Sequence, residues 1–211
     1  MKILLLNGSP KEFGCTYTAL NKMAEVFNKE NFETEIFYIG TDPIASCRGC
    51  RACEKLKKCV VNDKVNEFVE KAKNSDGFIV GSPVHYASAS GTIISFLDRA
   101  FYSAARSGNK VFTHKPATAI VSARRAGTSA TLDQLYKYFS ITQMPIISGR
   151  YWNMVHGNTP DEVLLDKEGI QNLQVVAKNM IYHLKCKEIA SKNGIEPPIL
   201  EEEVIRTNFI R

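Results

Sequence analysis

The chain predicts an α/β fold: a doubly wound parallel sheet of five strands in the order 2-1-3-4-5, with helices on both faces. Three observations carry that expectation. Short apolar runs without alternation, such as Ile3-Leu4-Leu5-Leu6 and Phe78-Ile79-Val80, are the mark of strands buried on both faces. Segments with apolar residues at helical spacing separate those runs. A length of 211 residues accommodates five such strand–helix units as one domain, and this is the default strand order for that size.

Taken in order, residues 2–7 form the first strand. It runs into Gly8-Ser9-Pro10-Lys11 and then a helix starting around Cys15 to Thr18, with Leu20, Met23, Ala24 and Phe27 inward. Residues 32–39 alternate and read as a second strand near an edge. A cysteine-rich loop follows. Asn62-Asp63 then caps a helix to about Lys73 that buries Val65, Phe68, Val69 and Ala72. Residues 77–81 are the third strand, ending in Ser82-Pro83-Val84-His85-Tyr86, and a helix from about 91 to 105 places Asp98-Arg99 on its polar side. Residues 117–121 are the fourth strand, leading through Ser122-Ala123-Arg124-Arg125-Ala126-Gly127 to a helix over 128–139. Met144-Pro145-Ile146-Ile147 is the fifth strand, residues 151–157 are an aromatic loop, and residues 166–191 are the last helix. Residues 1–190 make the domain, including the cysteine loop at 46–60. Residues 191–211 are a C-terminal extension, its tail from 199 onward read as an arm on a neighbouring subunit or on the core.

In doubly wound sheets ligands lie outside the carboxyl ends of the strands, at the switch point. Three loops emerge there, and each precedes a helix. The first, with Ser9, Lys11, Cys15, Thr16, Tyr17 and Thr18, suits an anion, because backbone N–H groups and the helix dipole point at it. The second (Pro83, Val84, His85, Tyr86) and third (Ser122, Arg124, Gly127) leave room for a planar ring. Neither a P-loop nor G-x-G-x-x-G is present. His85 is the one histidine in the candidate site, and no residue is marked as a general base.

Four of the six cysteines, Cys47, Cys50, Cys53 and Cys59, have the spacing C-x2-C-x2-C-x5-C. Three thiols at three-residue steps with a fourth beyond suit one iron–sulfur cube. A structural zinc ion usually takes two separate knuckles, and these overlapping steps would crowd it. A redox-sensing loop, or a solvated basic loop that happens to carry thiols, is the other reading. Arg48, Arg51, Lys55, Lys57 and Lys58 surround the sulfurs, and cations favour thiolate.

The formal charge of +5 is mild and scattered outside this loop, which disfavours nucleic acid as a partner. No apolar run is long enough to span a bilayer, and Met1-Lys2 runs directly into a strand rather than a secretory signal. Cysteines with metal-ligand spacing point to a reducing compartment, hence a cytoplasmic protein.

Gly8-Ser9-Pro10-Lys11, Gly81-Ser82-Pro83-Val84-His85-Tyr86 and the segment 91–99 ending in Leu97-Asp98-Arg99 resemble the flavodoxin-like NAD(P)H-dependent FMN reductase family. The cysteine loop is similar to that of its iron–sulfur flavoprotein branch, which also often has cysteines near positions 15 and 186. The resemblance implies an FMN phosphate on the first loop and an isoalloxazine ring over the second, with the third closing the other side. It implies a 4Fe-4S cluster on Cys47, Cys50, Cys53 and Cys59, NAD(P)H as electron donor, an electron carrier such as ferredoxin as partner, and a homodimer or homotetramer. Lys11 stands where the family usually has arginine, keeping the charge but losing a bidentate fork. The alternatives are an NAD(P)H-dependent FMN or quinone reductase without a cluster, and a flavodoxin-like electron carrier or redox sensor.

Overall fold

A computed structural model describes residues 1–199 together with 205 and 207. The expected arm over 199–211 otherwise lies outside the described residues. In chain order the elements are β1 (Lys2–Asn7), α1 (Cys15–Lys29), β2 (Glu33–Tyr38), α2 (Ala52–Leu56), α3 (Lys64–Lys73), β3 (Gly77–His85) and β4 (Ser88–Ala89). They continue with α4 (Gly91–Arg106), β5 (Ala117–Ala123), α5 (Thr128–Ile141), β6 (Met154–His156), α6 (Pro160–Leu165) and α7 (Lys167–Lys192).

Five strands run parallel in the order β2-β1-β3-β5-β6, and β4 adds a two-residue antiparallel hairpin arm to β3. The expected doubly wound order therefore holds for the parallel strands, with a sixth strand added. Successive side chains of a strand point to opposite faces. On β1, Leu4 and Leu6 join the core under α3, α4 and α5, whereas Ile3 and Leu5 join the core under α1 and α7. All four are buried, which is why the run shows no alternation. The first core is rich in phenylalanine: Phe68 meets Phe37 and Phe96 at ring separations of 5.7 and 5.3 Å, and Phe101 stacks on Phe112 at 4.2 Å.

The fifth strand is where expectation and structure part. Residues 144–147 are not a strand; they make one isolated bridge, Ala117 to Ile146. Pro145 has no N–H to give a ladder, but its carbonyl accepts from Ala117 N. The chain then bulges outward and rejoins β5 as β6, inside the stretch read as an aromatic loop. Asn172 of α7 secures the bulge. Its Oδ1 accepts from the N–H groups of Arg150 and Tyr151 at 3.0 and 3.1 Å, while Nδ2 donates to the carbonyls of Tyr151 and Trp152. Gly149 lies so close to that amide that a Cβ there would collide with Asn172 Oδ1. Two short helices also went unread: α2, inside the cysteine loop, and α6, with Thr159 as its cap and Pro160 at its start.

Candidate functional site

At the carboxyl ends of β1, β3, β5 and β6 lies an open cleft. The β1–α1 loop supplies Ser9, Lys11, Cys15 and Thr16, the end of β3 supplies Pro83, Val84 and His85, and the end of β5 supplies Ser122 and Arg124. These nine expected residues meet in one place. Four others do not line the cleft. Tyr17 packs edge-on against Phe13 at 5.1 Å, and Thr18 Oγ1 donates back to the Gly14 carbonyl. Tyr86 sits fully exposed at the hairpin tip. Gly127 packs beneath Val84 and Ala87, adopting φ +95°. Pro10, Ala123, Gly157 and Asn158 line the cleft although the sequence did not single them out. Gly157 and Asn158 escaped because they follow β6, the strand the apolar pattern misplaced.

The β1–α1 loop is rigidly held. Asn7 Oδ1 accepts from Ser9 N at 3.2 Å, Ser9 Oγ accepts from Lys11 N at 3.0 Å, and Asn7 Nδ2 donates to the Glu12 carbonyl. Tyr38 Oη donates to the Pro10 carbonyl at 2.9 Å. Thr16 Oγ1 and Ser122 Oγ lie 2.8 Å apart, tying the first loop to the end of β5. Gly8 donates its N–H to the Gly81 carbonyl at 2.9 Å, and a Cβ on Gly8 would come within 2.8 Å of that oxygen.

Electrostatically the cleft is built for an anion. The N-cap of α1 is Gly14, which provides no side-chain cap, and the first turn has no acidic residue. Its leading N–H groups are therefore available, and the helix dipole adds partial positive charge. The lining includes Lys11 and Arg124 and no carboxylate. The Cys15 thiol donates to the Gly157 carbonyl at 3.7 Å, and burial pushes its pKa up, so it behaves as a neutral wall rather than a nucleophile. These donors fit a phosphate group, and the flat strip from Pro83 to His85 fits a planar ring.

The second feature is a cup formed by the cysteine loop against α4. Cys47, Cys50, Cys53 and Cys59 all line it, with Arg48, Arg51, Val60, Val61, Arg99 and Tyr102. Cys53, on α2, is buried and Cys50 is exposed. Burial pushes the Cys53 thiol up, and the charges of Cys50, Cys59 and Cys47 push the same way. Among the described residues no group of three or more His, Cys, Asp or Glu side chains is already gathered as a metal site. The donor chemistry of four free thiols around one cup nonetheless suits a thiolate-bound cluster.

Of the five basic residues expected to surround the sulfurs, Arg48 and Arg51 line the cup, and Arg51 is paired with Glu54 at 2.9 Å. The cation that touches sulfur is Arg99, which the sequence placed on a polar helix face. It is 2% exposed. Its Nε and Nη2 each donate to Cys59 Sγ at 3.4 Å, and Nη1 and Nη2 fork onto the Asp63 carboxylate at 2.5 and 2.9 Å. Burial opposes the charge on Arg99, but the bonds to Asp63 and Cys59 outweigh it and hold the group firmly protonated. Asn66 completes the arrangement from α3: Oδ1 accepts from Cys59 N, and Nδ2 donates to the carbonyls of Cys59 and Val61.

One helix links cleft and cup. Ser90 caps α4 by accepting from Ile93 N, and its hydroxyl donates to the Gly8 carbonyl at 3.1 Å beneath the first loop. Nine residues further along the same helix stands Arg99, an axial rise of roughly 13 Å.

Among known proteins, an iron–sulfur flavoprotein of Methanocaldococcus jannaschii is 28% identical over 189 residues, covering 85% of this chain and 95% of the relative. An NADPH azoreductase of a Bacillus species is 25% identical over 213 residues, covering 93% and 100%. The solved flavodoxin, WrbA-like protein from Agrobacterium tumefaciens superposes with a TM-score of 0.60 at 12% identity, covering 88% of this chain and 97% of that one. The profile of the NADPH-dependent FMN reductase family matches residues 1–159, the span that carries all three cleft loops and the cysteine cup. The chain thus belongs to the NADPH-dependent FMN reductase family and is an NAD(P)H-dependent oxidoreductase.

Proposed function

We propose that this oxidoreductase holds FMN in the cleft and a 4Fe-4S cluster in the cup, passing electrons from NAD(P)H to a one-electron acceptor. FMN supplies the conversion between electron pairs and single electrons; the chain's part is to bind, orient and exclude. Ser9, Lys11, Thr16 and the open N-terminus of α1 would hold the phosphate. Pro83, Val84 and His85 would underlie the ring, with Ser122 and Arg124 along its other edge. Arg124 and the absence of a lining carboxylate favour negative charge on the bound ring. Cys47, Cys50, Cys53 and Cys59 would ligate the cluster. The observation that carries the reading is that three loops far apart in sequence converge on one anion-accepting cleft.

Titration with FMN and with riboflavin, followed by flavin fluorescence, tests the cleft. Losing a charge-assisted contact costs about 1.5–3 kcal/mol, so Lys11→Met should weaken FMN roughly 10- to 100-fold and leave riboflavin unchanged. A chain that takes up neither flavin sinks the reading. For the cup, Cys50→Ser should bleach the broad cluster absorbance of anaerobically isolated protein while the flavin bands persist.

A second reading keeps the flavin and leaves the cup as free thiols, a reductase of FMN or quinones without a cluster. It is favoured by the absence, among the described residues, of a pre-gathered metal group. Iron and acid-labile sulfide assays separate the two. Under the first reading ferredoxin is a suitable partner. Residues 1–190 would serve as the FMN-binding domain of a cytoplasmic homodimer or homotetramer, its extension beginning at 191.

A further inference from the structure

The cup is supported unequally. Cys47 and Cys50 lie in irregular chain, and Arg51, which follows them, adopts φ +58°. Cys59 also lies outside any helix or strand, yet it is clamped from two helices. Asn66 of α3 takes up its N–H and its carbonyl at 3.0 Å each, and Arg99 of α4 donates two N–H groups to its sulfur at 3.4 Å. Asp63, the N-cap of α3, fixes the guanidinium fork from behind while its Oδ1 accepts from Val65 N at 3.0 Å. Arg99 also donates to the Val61 carbonyl at 3.1 Å. A guanidinium this enclosed is costly to bury, and with the Ala45 carbonyl, 3.5 Å from Nη1, four different groups share its five donors. An ordinary surface arginine on α4 would avoid that cost. The arrangement makes sense if a sulfur with more electron density than a thiol is to be held against it.

We propose that Arg99 is a positioning residue for the fourth cluster ligand: with Asn66 and Asp63 it presets Cys59, and its N–H···S bonds raise the reduction potential of the group bound there. The inference rests on the cluster reading of the cup and adds the residue that tunes it. Reduction adds an electron to a thiolate-bound cluster, so a fixed cation and N–H donors at a ligand sulfur favour the reduced form. Asn66 contributes by a different route. It touches only backbone, so it governs how well Cys59 is held and leaves the electronic environment of the sulfur alone.

The experiment uses the full chain with FMN, reconstituted anaerobically with iron and sulfide, as wild type, Arg99→Gln, Arg99→Lys and Asn66→Ala. Three quantities are read: iron and sulfide per FMN, the cluster midpoint potential, and the rate of iron loss to a chelator. Arg99→Gln should shift the one-electron equilibrium at least tenfold toward the oxidised form, ~59 mV lower. Arg99→Lys, which keeps the charge but not the fork, should fall between Arg99→Gln and wild type. Asn66→Ala should release iron at least tenfold faster with the potential unmoved. Should Arg99→Gln fail to fold, Arg99→Lys and Asn66→Ala carry the test by the same criteria. A loaded Arg99→Gln protein, or in its place a loaded Arg99→Lys protein, with wild-type potential and wild-type iron release overturns the assignment alone. Wild type that binds FMN but takes up no iron overturns the cluster reading together with it.

Discussion

Gly81 shows how tightly single positions are set. A Cβ there would meet Thr16 Cγ2 at 2.8 Å and Leu20 Cδ1 at 2.9 Å, on the first turns of α1. Overpacking of this kind typically costs about 1–3 kcal/mol. Gly81→Ala should therefore lower the unfolding free energy by that amount, read as a lower urea midpoint, and, by displacing Thr16 from Ser122, weaken FMN as well. An FMN affinity equal to wild type would show that Thr16 does not depend on this packing. Arg99 illustrates the limit of reading residues one at a time. Its neighbours Asp98 and Arg106 are polar, and helical periodicity alone assigns it to solvent. Only the fold brings Cys59 and Asp63, 40 and 36 positions away, against it.

At the level of elements, the sequence was most legible where an apolar run meets a loop of small and hydroxyl residues. The carboxyl ends of β1, β3 and β5 all had that pattern, and nine of their residues meet in the cleft. It was least legible at β6. The run 144–147 is apolar because Met144 and Ile147 pack into the two cores, not because it forms a ladder. The real strand, Met154–His156, is three residues long and buries only Val155. Three residues are too few to show a period, so β6, together with Gly157 and Asn158 after it, left no signal. Helix α4 supports a prediction of its own. Its cap, Ser90, serves two bonds at once, to Ile93 N and to the Gly8 carbonyl. Ser90→Ala should cost about 1–2 kcal/mol in denaturant unfolding and loosen the first loop. Flavin dissociation should accelerate in step, measurable by dilution of loaded protein. Loss of stability with an unchanged dissociation rate would show the loop to be independent of the cap.

Across the whole molecule, the end of the sheet opposite the cleft carries a pH dependence. Lys115 Nζ donates to the Ala72 and Lys73 carbonyls at the end of α3, at 2.8 and 3.1 Å. Burial lowers its pKa from 10.5 to about 8; Asp76 opposes the shift and Lys187 reinforces it. Between those two values the unfolded chain holds a proton that the folded chain has released, so stability rises with pH across the window. The penalty is complete below about pH 8 and gone above the unfolded value. Relative to Lys115→Met, wild type should gain about 1–2 kcal/mol on going from pH 8 to 10.5, once solvent screening at this half-exposed site is allowed for. Parallel pH profiles for the two proteins would refute the assignment.

The helix whose cap lies under Gly8 and whose ninth residue beyond that cap grips Cys59 works as a ruler between the cleft and the cysteine cup. Inserting one residue into it would swing the guanidinium about 100° around the axis and advance it about 1.5 Å. The separation can thus change only in whole-residue steps, and most of those steps turn the cation away from its sulfur. Side chains at either end can change one at a time, while the spacing between cleft and cup stays quantised by the helical repeat.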